Sequence, residues 1–393
     1  MKFVFYANTD WYLYNFRLST ARQLQAHGHE VVMLSPPGDY GARFAGHGFR
    51  WIPLAMDRAS LNPLREARTL CELVRVLRDE RPDMLHNFTV KCAVYGALAA
   101  RAARVPAVVN AVAGMGYVFA SERAHARMLR PVVKLLMRGT LAGGHSRLIL
   151  QNPDDAEVFL RARIVPEQKI RVIRSSGVDL SRFQPPQREG EPKPLRVLLA
   201  ARLLWEKGVG DYVEAARLLR LQGRNVECLL AGMPDPGNPR SASRRQAEGW
   251  HREGLVQWLG HVDDMPALMR SVDVMVLPSY YREGVPKSLI EGAASGLAIV
   301  TTNLAGCREV VSEDGVDGLH VRPRDPAHLA ACLARLDDDR ALLRRLGERA
   351  CARAAEHFDE RMVIRRTIEV YDELLRDRRV APQPLVAGEQ VEA

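Results

Sequence analysis

The sequence predicts an α/β protein built from two doubly wound units. Three observations carry this. Apolar strand-like runs alternate with amphipathic helix-like stretches over most of the 393 residues, the pattern of βαβ units on parallel sheets. The alternation stops at a Pro-rich polar segment, 184–194, and restarts after it. The length suits two domains of ordinary size. Open parallel sheets bind ligands beyond the carboxyl ends of their strands, so the expected architecture is two Rossmann-like domains facing a central cleft.

The elements follow in order. In the first half, strands are expected at 2–6, 30–35, 50–54, 83–86, 107–112, 146–151 and 170–173, where short apolar runs are bounded by polar or turn-forming residues. Helices are expected at 15–27, 63–79, 92–104 and 153–162. After the linker, strands are expected at 195–200, 226–231, 256–259, 272–277 and 298–302. Helices fill 209–222, 265–270, 286–295, 326–336, 338–357 and 361–379. The domain reading is therefore 1–183, a linker at 184–194, 195–360, a C-terminal helix at 361–379 that packs back on the first domain, and a frayed tail at 380–393.

Composition excludes several classes. Hydrophobic residues make up 47% and charged residues 26%, which is a globular balance rather than a disordered or fibrous one. The six cysteines form no Cys-x-x-Cys pair, so zinc-ligand spacing is missing and a reducing compartment is expected. The N-terminal segment has no signal-peptide pattern, and no apolar run approaches the ~20 residues of a membrane span. A cytoplasmic protein, soluble or peripheral at the inner face of the plasma membrane, is the expectation.

The formal net charge of +9 implies an acidic partner, and it is unevenly placed. Residues 1–180 carry +10 and the remainder −1. Within 101–147 stand Arg101, Arg104, Arg123, Arg127, Arg130, Lys134, Arg138 and Arg147 against Glu122, interleaved with Met128, Leu129, Val132, Val133, Leu135, Leu136 and Met137. This spacing fits an interfacial helix on an anionic membrane surface, or a surface helix with a solvated basic face. Pro131 divides it into two short helices or kinks one.

The densest chemical signal is 277–291. A buried strand ends, a loop carries Glu283 and Gly284, and a helix begins at Pro286, a residue favoured at the first helical position. The amides of Gly284, Val285 and the first turn then form an anion- or hydroxyl-binding end. Glu291 lies about five residues into the helix, roughly 7.5 Å along its axis. That spacing suits two carboxylates gripping different parts of one long ligand. The second signal is 200–208, where Arg202 and Lys207 follow a strand and can neutralise a diphosphate. The plainer alternative pairs both cations with Glu206 and solvent.

These residues resemble the E-x7-E motif and the Arg and Lys–Gly pair of retaining glycosyltransferases of the GT-B fold, family 4. Gly260-His261, 293–296, Gly306 with Glu309, Asp317-Gly318 and Gly177-Val178-Asp179 with Phe183 are similar as well. In the N-terminal half, Asn15-Phe16-Arg17, 62–65, 86–91, 110–119 and 151–155 resemble bacterial enzymes that extend sugars on polyprenyl diphosphate, an N-acetylgalactosaminyltransferase-like branch.

The resemblance implies an N-terminal acceptor domain and a C-terminal nucleotide-sugar domain. It implies retaining transfer of a hexose or N-acetylhexosamine from a nucleotide sugar, UDP-linked by expectation, to a polyprenyl-diphosphate-linked saccharide in lipopolysaccharide or capsule assembly. Arg202 and Lys207 would hold the diphosphate and stabilise the leaving charge. Glu283 would contact donor-sugar hydroxyls and Glu291 the ribose, with Gly284, Val285, Pro286, His261 and Ser288 also at the donor. The acceptor hydroxyl would attack on the leaving-group face, a donor phosphate oxygen taking its proton. The sequence departs from the family at Ala113, where many members carry a sugar-contacting His.

Acceptor contacts are expected from Arg17, Thr89 and Lys91 beyond strand ends, and from the backbone of Met115 and Gly116. Thr89 and Lys91 read equally well as structural residues, and His86 as either an acceptor contact or a packed core residue. No cofactor or metal is expected. The acidic triplet Asp337-Asp338-Asp339 lies between helices, where it more simply begins one. The competing functions are a non-transferring UDP-sugar epimerase of the same fold and a basic nucleic-acid-binding module. Binding to nucleic acid is not expected, because residues 121–138 contain no aromatic side chain to interleave with the cations.

Overall fold

The computed structural model describes residues 1–57, 60, 62–113, 124–186, 194–377 and 385, with the backbone only for 124–130 and 132. The chain divides into two compact units, 1–176 with 363–393, and 177–362. The division falls at 176/177 rather than at 183/184. The reason is packing: Val178 and Phe183 are buried among Met275, Leu277 and Phe358, and the Val178 amide donates to the Phe358 carbonyl at 2.7 Å.

The first unit is a seven-stranded parallel sheet of β1 (Lys2–Tyr6), β2 (Glu30–Ser35), β3 (Arg50–Pro53), β4 (Met84–Phe88), β5 (Ala107–Val112), β6 (Ser146–Leu150) and β7 (Ile170–Val172). Their spatial order is 3-2-1-4-5-6-7, so the winding reverses between β1 and β4. Loops on either side of such a reversal part and leave a crevice at the strands' carboxyl ends. The all-buried stretches of β4 and β5 are what a sheet covered on both faces requires.

The helix expected over 15–27 is instead two helices, α1 (Asp10–Phe16) and α2 (Leu18–Ala26). Thr9 caps α1 by accepting from the Tyr12 amide, and the buried Asp10 carboxylate accepts from the amides of Trp11, Tyr40 and Gly41. Those bonds start the helix earlier than apolar periodicity suggests. Arg17 interrupts it with φ −129° and ψ −5°.

Next come α3 (Pro63–Glu80), capped by Asn62 with Pro63 at its start, and α4 (Val90–Ala103). A single helix α5 (Ala124–Leu141) follows with Pro131 inside it, then α6 (Pro153–Arg161). Among the described residues no helix is long and apolar enough to cross a membrane.

The second unit is a six-stranded parallel sheet of β8 (Leu195–Ala200), β9 (Val226–Ala231), β10 (Gln257–Gly260), β11 (Val274–Leu277), β12 (Ala298–Thr302) and β13 (Leu319–Val321), in the order 10-9-8-11-12-13. Its reversal lies between β8 and β11. The helices are α7 (Val209–Leu221), α8 (Arg244–Arg252), α9 (Met265–Arg270), α10 (Lys287–Ala294), α11 (Cys307–Val310), α12 (Pro326–Asp338) and α13 (Arg340–Phe358). Asp339 of the acidic triplet caps α13, accepting from the Leu342 amide at 2.8 Å.

The last helix, α14 (Glu360–Asp377), buries Val363, Ile368, Tyr371, Leu374 and Leu375 in the core beside β1 and β4. Glu373 receives both Arg147 and Arg171 from the ends of that sheet. Apart from Leu385, the tail lies outside the described residues.

Candidate active site

Arg202 and Lys207 follow β8, and Glu283 follows β11. Because β8 and β11 are hydrogen-bonded neighbours at the reversal of the winding, both loops open on one sheet edge. Gly208 makes the close approach possible. It sits at φ +76°, and a Cβ there would lie 2.3 Å from the Pro278 carbonyl oxygen. Behind the loop, Gly306 at φ +82° admits the Gly284 carbonyl, which a Cβ would meet at 1.4 Å.

The side chains then pair. Lys207 Nζ lies 2.5 Å from Glu283 Oε1, with both groups largely buried. Ser279 Oγ lies 2.9 Å from the same oxygen. Arg202 Nη1 donates to Asp235 Oδ2 at 2.7 Å, and Asn238 Nδ2 donates to that oxygen at 3.2 Å. The alternative in which both cations pair with Glu206 does not occur: Glu206 faces Arg240 at 3.4 Å. Two cations are thus held ready at a strand edge, each against a carboxylate.

Glu291 is the fifth residue of α10 and largely buried. Burial raises its pKa above the ordinary carboxylate value, while Lys287 and Arg182 pull it back down. Lys287 Nζ stands 3.9 Å from Glu291 Oε1 and donates to the Gly177 carbonyl at 2.6 Å. A buried carboxylate with distant cations is suited to accept hydrogen bonds from hydroxyl groups.

The helix start differs from the expectation by one position. Pro286 is the N-cap, at ψ 120°, and Lys287 is the first helical residue. The Pro286 carbonyl accepts from the Leu289 amide at 3.1 Å, so the proline still begins the turn without costing a donor. No side chain caps α10. Val285 and Pro286 are buried, and Gly284 and Ser288 are half-buried beside them. His261, beyond β10, is exposed and 3.3 Å from Asp263.

In the first unit the residues expected at the acceptor are only partly brought together. Arg17 is buried at the β1 side, and His86 is buried on β4. Thr89 begins α4 from φ +75°, a backbone position that β-branched residues rarely adopt. Lys91 does not face outward as a ligand cation. Its Nζ donates to the Asp57 carbonyl at 2.6 Å, the Ser60 carbonyl at 3.3 Å and Glu66 at 3.0 Å, fastening the segment before α3. Met115 and Gly116 lie outside the described residues.

Sequence reasoning missed Asp235, Ser279 and Lys287. Lys287 had a signal, its i,i+4 spacing to Glu291. Asp235 and Ser279 stand on loops and meet their partners only through the sheet.

Two doubly wound units, the second holding its charged groups at the reversal of winding, have the architecture of GT-B glycosyltransferases. The comparisons agree. Residues 16–176 match the glycosyl transferase 4-like domain, and 194–339 match the glycosyl transferases group 1 domain. The chain is 30% identical over 388 residues to N,N'-diacetylbacillosaminyl-diphospho-undecaprenol alpha-1,3-N-acetylgalactosaminyltransferase of Campylobacter jejuni, covering 96% of this chain and 100% of the relative. It is 27% identical to UDP-Gal:alpha-D-GlcNAc-diphosphoundecaprenol alpha-1,3-galactosyltransferase of Escherichia coli, covering 74% of this chain and 75% of that one. Among solved structures, Anabaena HepE in complex with UDP-glucose shares the fold at TM-score 0.75 and 18% identity, covering 95% of this chain and 100% of that chain. The protein belongs to the group 1, family 4-like glycosyltransferases.

Proposed function

We propose that the protein transfers a hexose or N-acetylhexosamine, with retention, from a UDP-sugar to a saccharide carried on a polyprenyl diphosphate in cell-surface glycan assembly. The observation that carries this reading is the Lys207–Glu283 pair beside Arg202 at the β8/β11 edge. A nucleotide diphosphate placed there meets two fixed cations and the uncapped start of α10, which together favour the charge of the departing group. Glu283, anchored by Lys207 and Ser279, is placed to hold donor-sugar hydroxyls, and Glu291 the ribose. Arg202 and Lys207 supply the charge that a diphosphate-bound metal supplies elsewhere, so transfer proceeds in EDTA. The relatives from Campylobacter jejuni and Escherichia coli, by their names, act on undecaprenyl-diphosphate-linked sugars, which supports the acceptor class.

The protein works at the cytoplasmic face of the membrane, with α5 resting on the anionic surface. Support comes from Leu135 and Leu136, 72% and 45% exposed beside Lys134 and Arg138. The stretch is less uniformly basic than its composition suggests. Arg101 donates to the Gly139 carbonyl near the end of α5, and Arg147 is held by Glu373 and Asp377. Replacing Lys134 and Arg138 by Ser reduces flotation with anionic vesicles if this placement is right; undiminished flotation refutes it.

A donor screen tests the transfer itself. A panel of nucleotide sugars is incubated with a short polyprenyl-diphosphate-linked saccharide, and products are read by mass spectrometry. Addition of one sugar, lost in Glu291→Ala, is expected. No addition with any donor, or undiminished addition by Glu291→Ala, rejects the reading.

A further inference from the structure

The first unit contains a small pocket at the carboxyl ends of β4, β5 and β6, walled by Arg17, His86, Ala111, Gln151, Ser175 and Thr367 among others, with no carboxylate among the described lining residues. It has room for a terminal oxygen group rather than a sugar ring. We propose that Arg17 and His86 form an oxyanion subsite here, which receives a phosphate oxygen of the acceptor's diphosphate. The inference rests on the transfer reading above, and it adds a binding site to the unit whose other expected cation, Lys91, is occupied elsewhere.

Arg17 carries the first half of the argument. The residue is 6% exposed, yet no carboxylate pairs with its guanidinium among the described residues. Its Nη2 donates to the Tyr12 hydroxyl at 3.0 Å, and Nε is buried without a partner. The group lies 4.6 Å from the Phe88 ring centroid and 5.6 Å from that of Tyr12. Aromatic faces offset part of the cost of burying a cation, but they supply no hydrogen-bond acceptor for Nε. A guanidinium cannot shed its proton to escape that cost. The missing component is an anion.

His86 carries the second half. Its ring is 1% exposed, packs at 4.0 Å between centroids on Phe88, and places Nδ1 2.5 Å from the Tyr371 hydroxyl. Tyr371 is fully buried, and its hydroxyl satisfies its own proton within the described residues only by donating to Nδ1. The ring proton is then on Nε2, a second buried donor without an acceptor. Burial and the neighbouring Arg17 depress the His86 pKa, which keeps the ring neutral. Arg17 and His86 both line the pocket and each carries a buried nitrogen without a partner; a cation with no carboxylate beside it among the described residues selects an oxyanion.

The test uses the full chain saturated with UDP, so that the cations of the second unit are occupied. Pyrophosphate and a short-chain prenyl diphosphate are titrated separately. The readout is the His86 side-chain nitrogen resonance, assigned by its loss in His86→Gln. A saturable shift with both ligands is expected, and Arg17→Gln weakens both at least tenfold. In the transfer assay Arg17→Gln raises the acceptor KM at least tenfold and the donor KM less than twofold. An unmoved His86 resonance in the wild-type protein overturns the subsite, whether or not the variant folds. A shift produced by UDP itself overturns the acceptor assignment in favour of the donor. A His86 shift in a protein that transfers no sugar leaves the subsite standing and removes the transfer reading; normal transfer with an unmoved His86 does the reverse.

Discussion

The two units share one construction and differ in how they treat charge. In each, a parallel sheet reverses its winding beside the first strand of the unit, between β1 and β4 in one and between β8 and β11 in the other. Arg202 and Lys207 follow β8 directly, whereas Arg17 follows β1 only after α1. In the second unit the cations meet carboxylates: Lys207 with Glu283 and Arg202 with Asp235. In the first, the buried Arg17 meets aromatic faces and a phenol. Under the readings proposed above, the difference separates two ways of keeping an anion site ready. Internal ion pairs would hold the second site's geometry until a diphosphate rearranges them. The first would keep its charge without a carboxylate, so a ligand would gain the attraction in a poorly screened setting.

The comparison breaks most sharply at Lys207. Lys207→Ala should lower kcat by about 10²–10³, the magnitude lost with one preorganised charge-stabilising group. It should also lower the melting temperature, because Glu283 is left largely buried beside Ser279 without its cation. An unchanged melting temperature would show that water replaces the lysine and that the pair is not structural.

Glu291 separates function from stability. Its raised pKa means that the folded state holds the proton more tightly than the unfolded state does. The associated stability is present below the unfolded carboxylate pKa and is lost as pH rises through the folded one. Glu291→Gln should therefore be more stable than wild type at pH 7 and not at pH 4, while donor KM rises about tenfold or more. Thermal unfolding at the two pH values and donor titration check both halves; equal stability differences at the two pH values would contradict the first.

Smaller effects sharpen the contrast. Asp235→Asn removes the competitor for Arg202 and should tighten UDP binding a few-fold by calorimetry. Its stability cost should stay under about 1 kcal/mol, since Arg202 is exposed. In the first unit, the depressed His86 pKa works in the opposite direction to that of Glu291. Its stabilising contribution is complete above the unfolded histidine pKa and is lost as pH falls towards the folded one. Stability should decline below about pH 6.5 by up to ~1.4 kcal/mol per unit, and this component should vanish in His86→Gln.

The sequence made the alternation of strands and helices legible, because buried parallel strands read as short apolar runs. It also exposed Glu283, Glu291, Arg202 and Lys207, which stand at ends of elements with strong patterns. It hid what depends on three dimensions. The α8 helix is short and almost wholly polar and buries only Ala247, so no apolar run marks it, although Ser243 and Gln246 form a capping box. The three-residue β13 is too short for a pattern. The break at Arg17 arises in a run of aromatic residues with no Pro or Gly to mark it. Asp235 meets Arg202 because β8 and β9 pair side by side, and Lys91 meets Glu66 because α3 and α4 pack together. Arg17 had no visible reason to be buried until Phe88 and Tyr12 were placed around it.

The most direct test of the central claim is transfer by the wild-type chain in EDTA, from a UDP-sugar to a polyprenyl-diphosphate-linked saccharide, with Lys207→Ala run beside it. The account predicts an acceptor heavier by one hexose or N-acetylhexosamine, joined with the donor's anomeric configuration, and loss of that product by at least a hundredfold in the variant. Transfer undiminished by Lys207→Ala, or a product of inverted configuration, would contradict it.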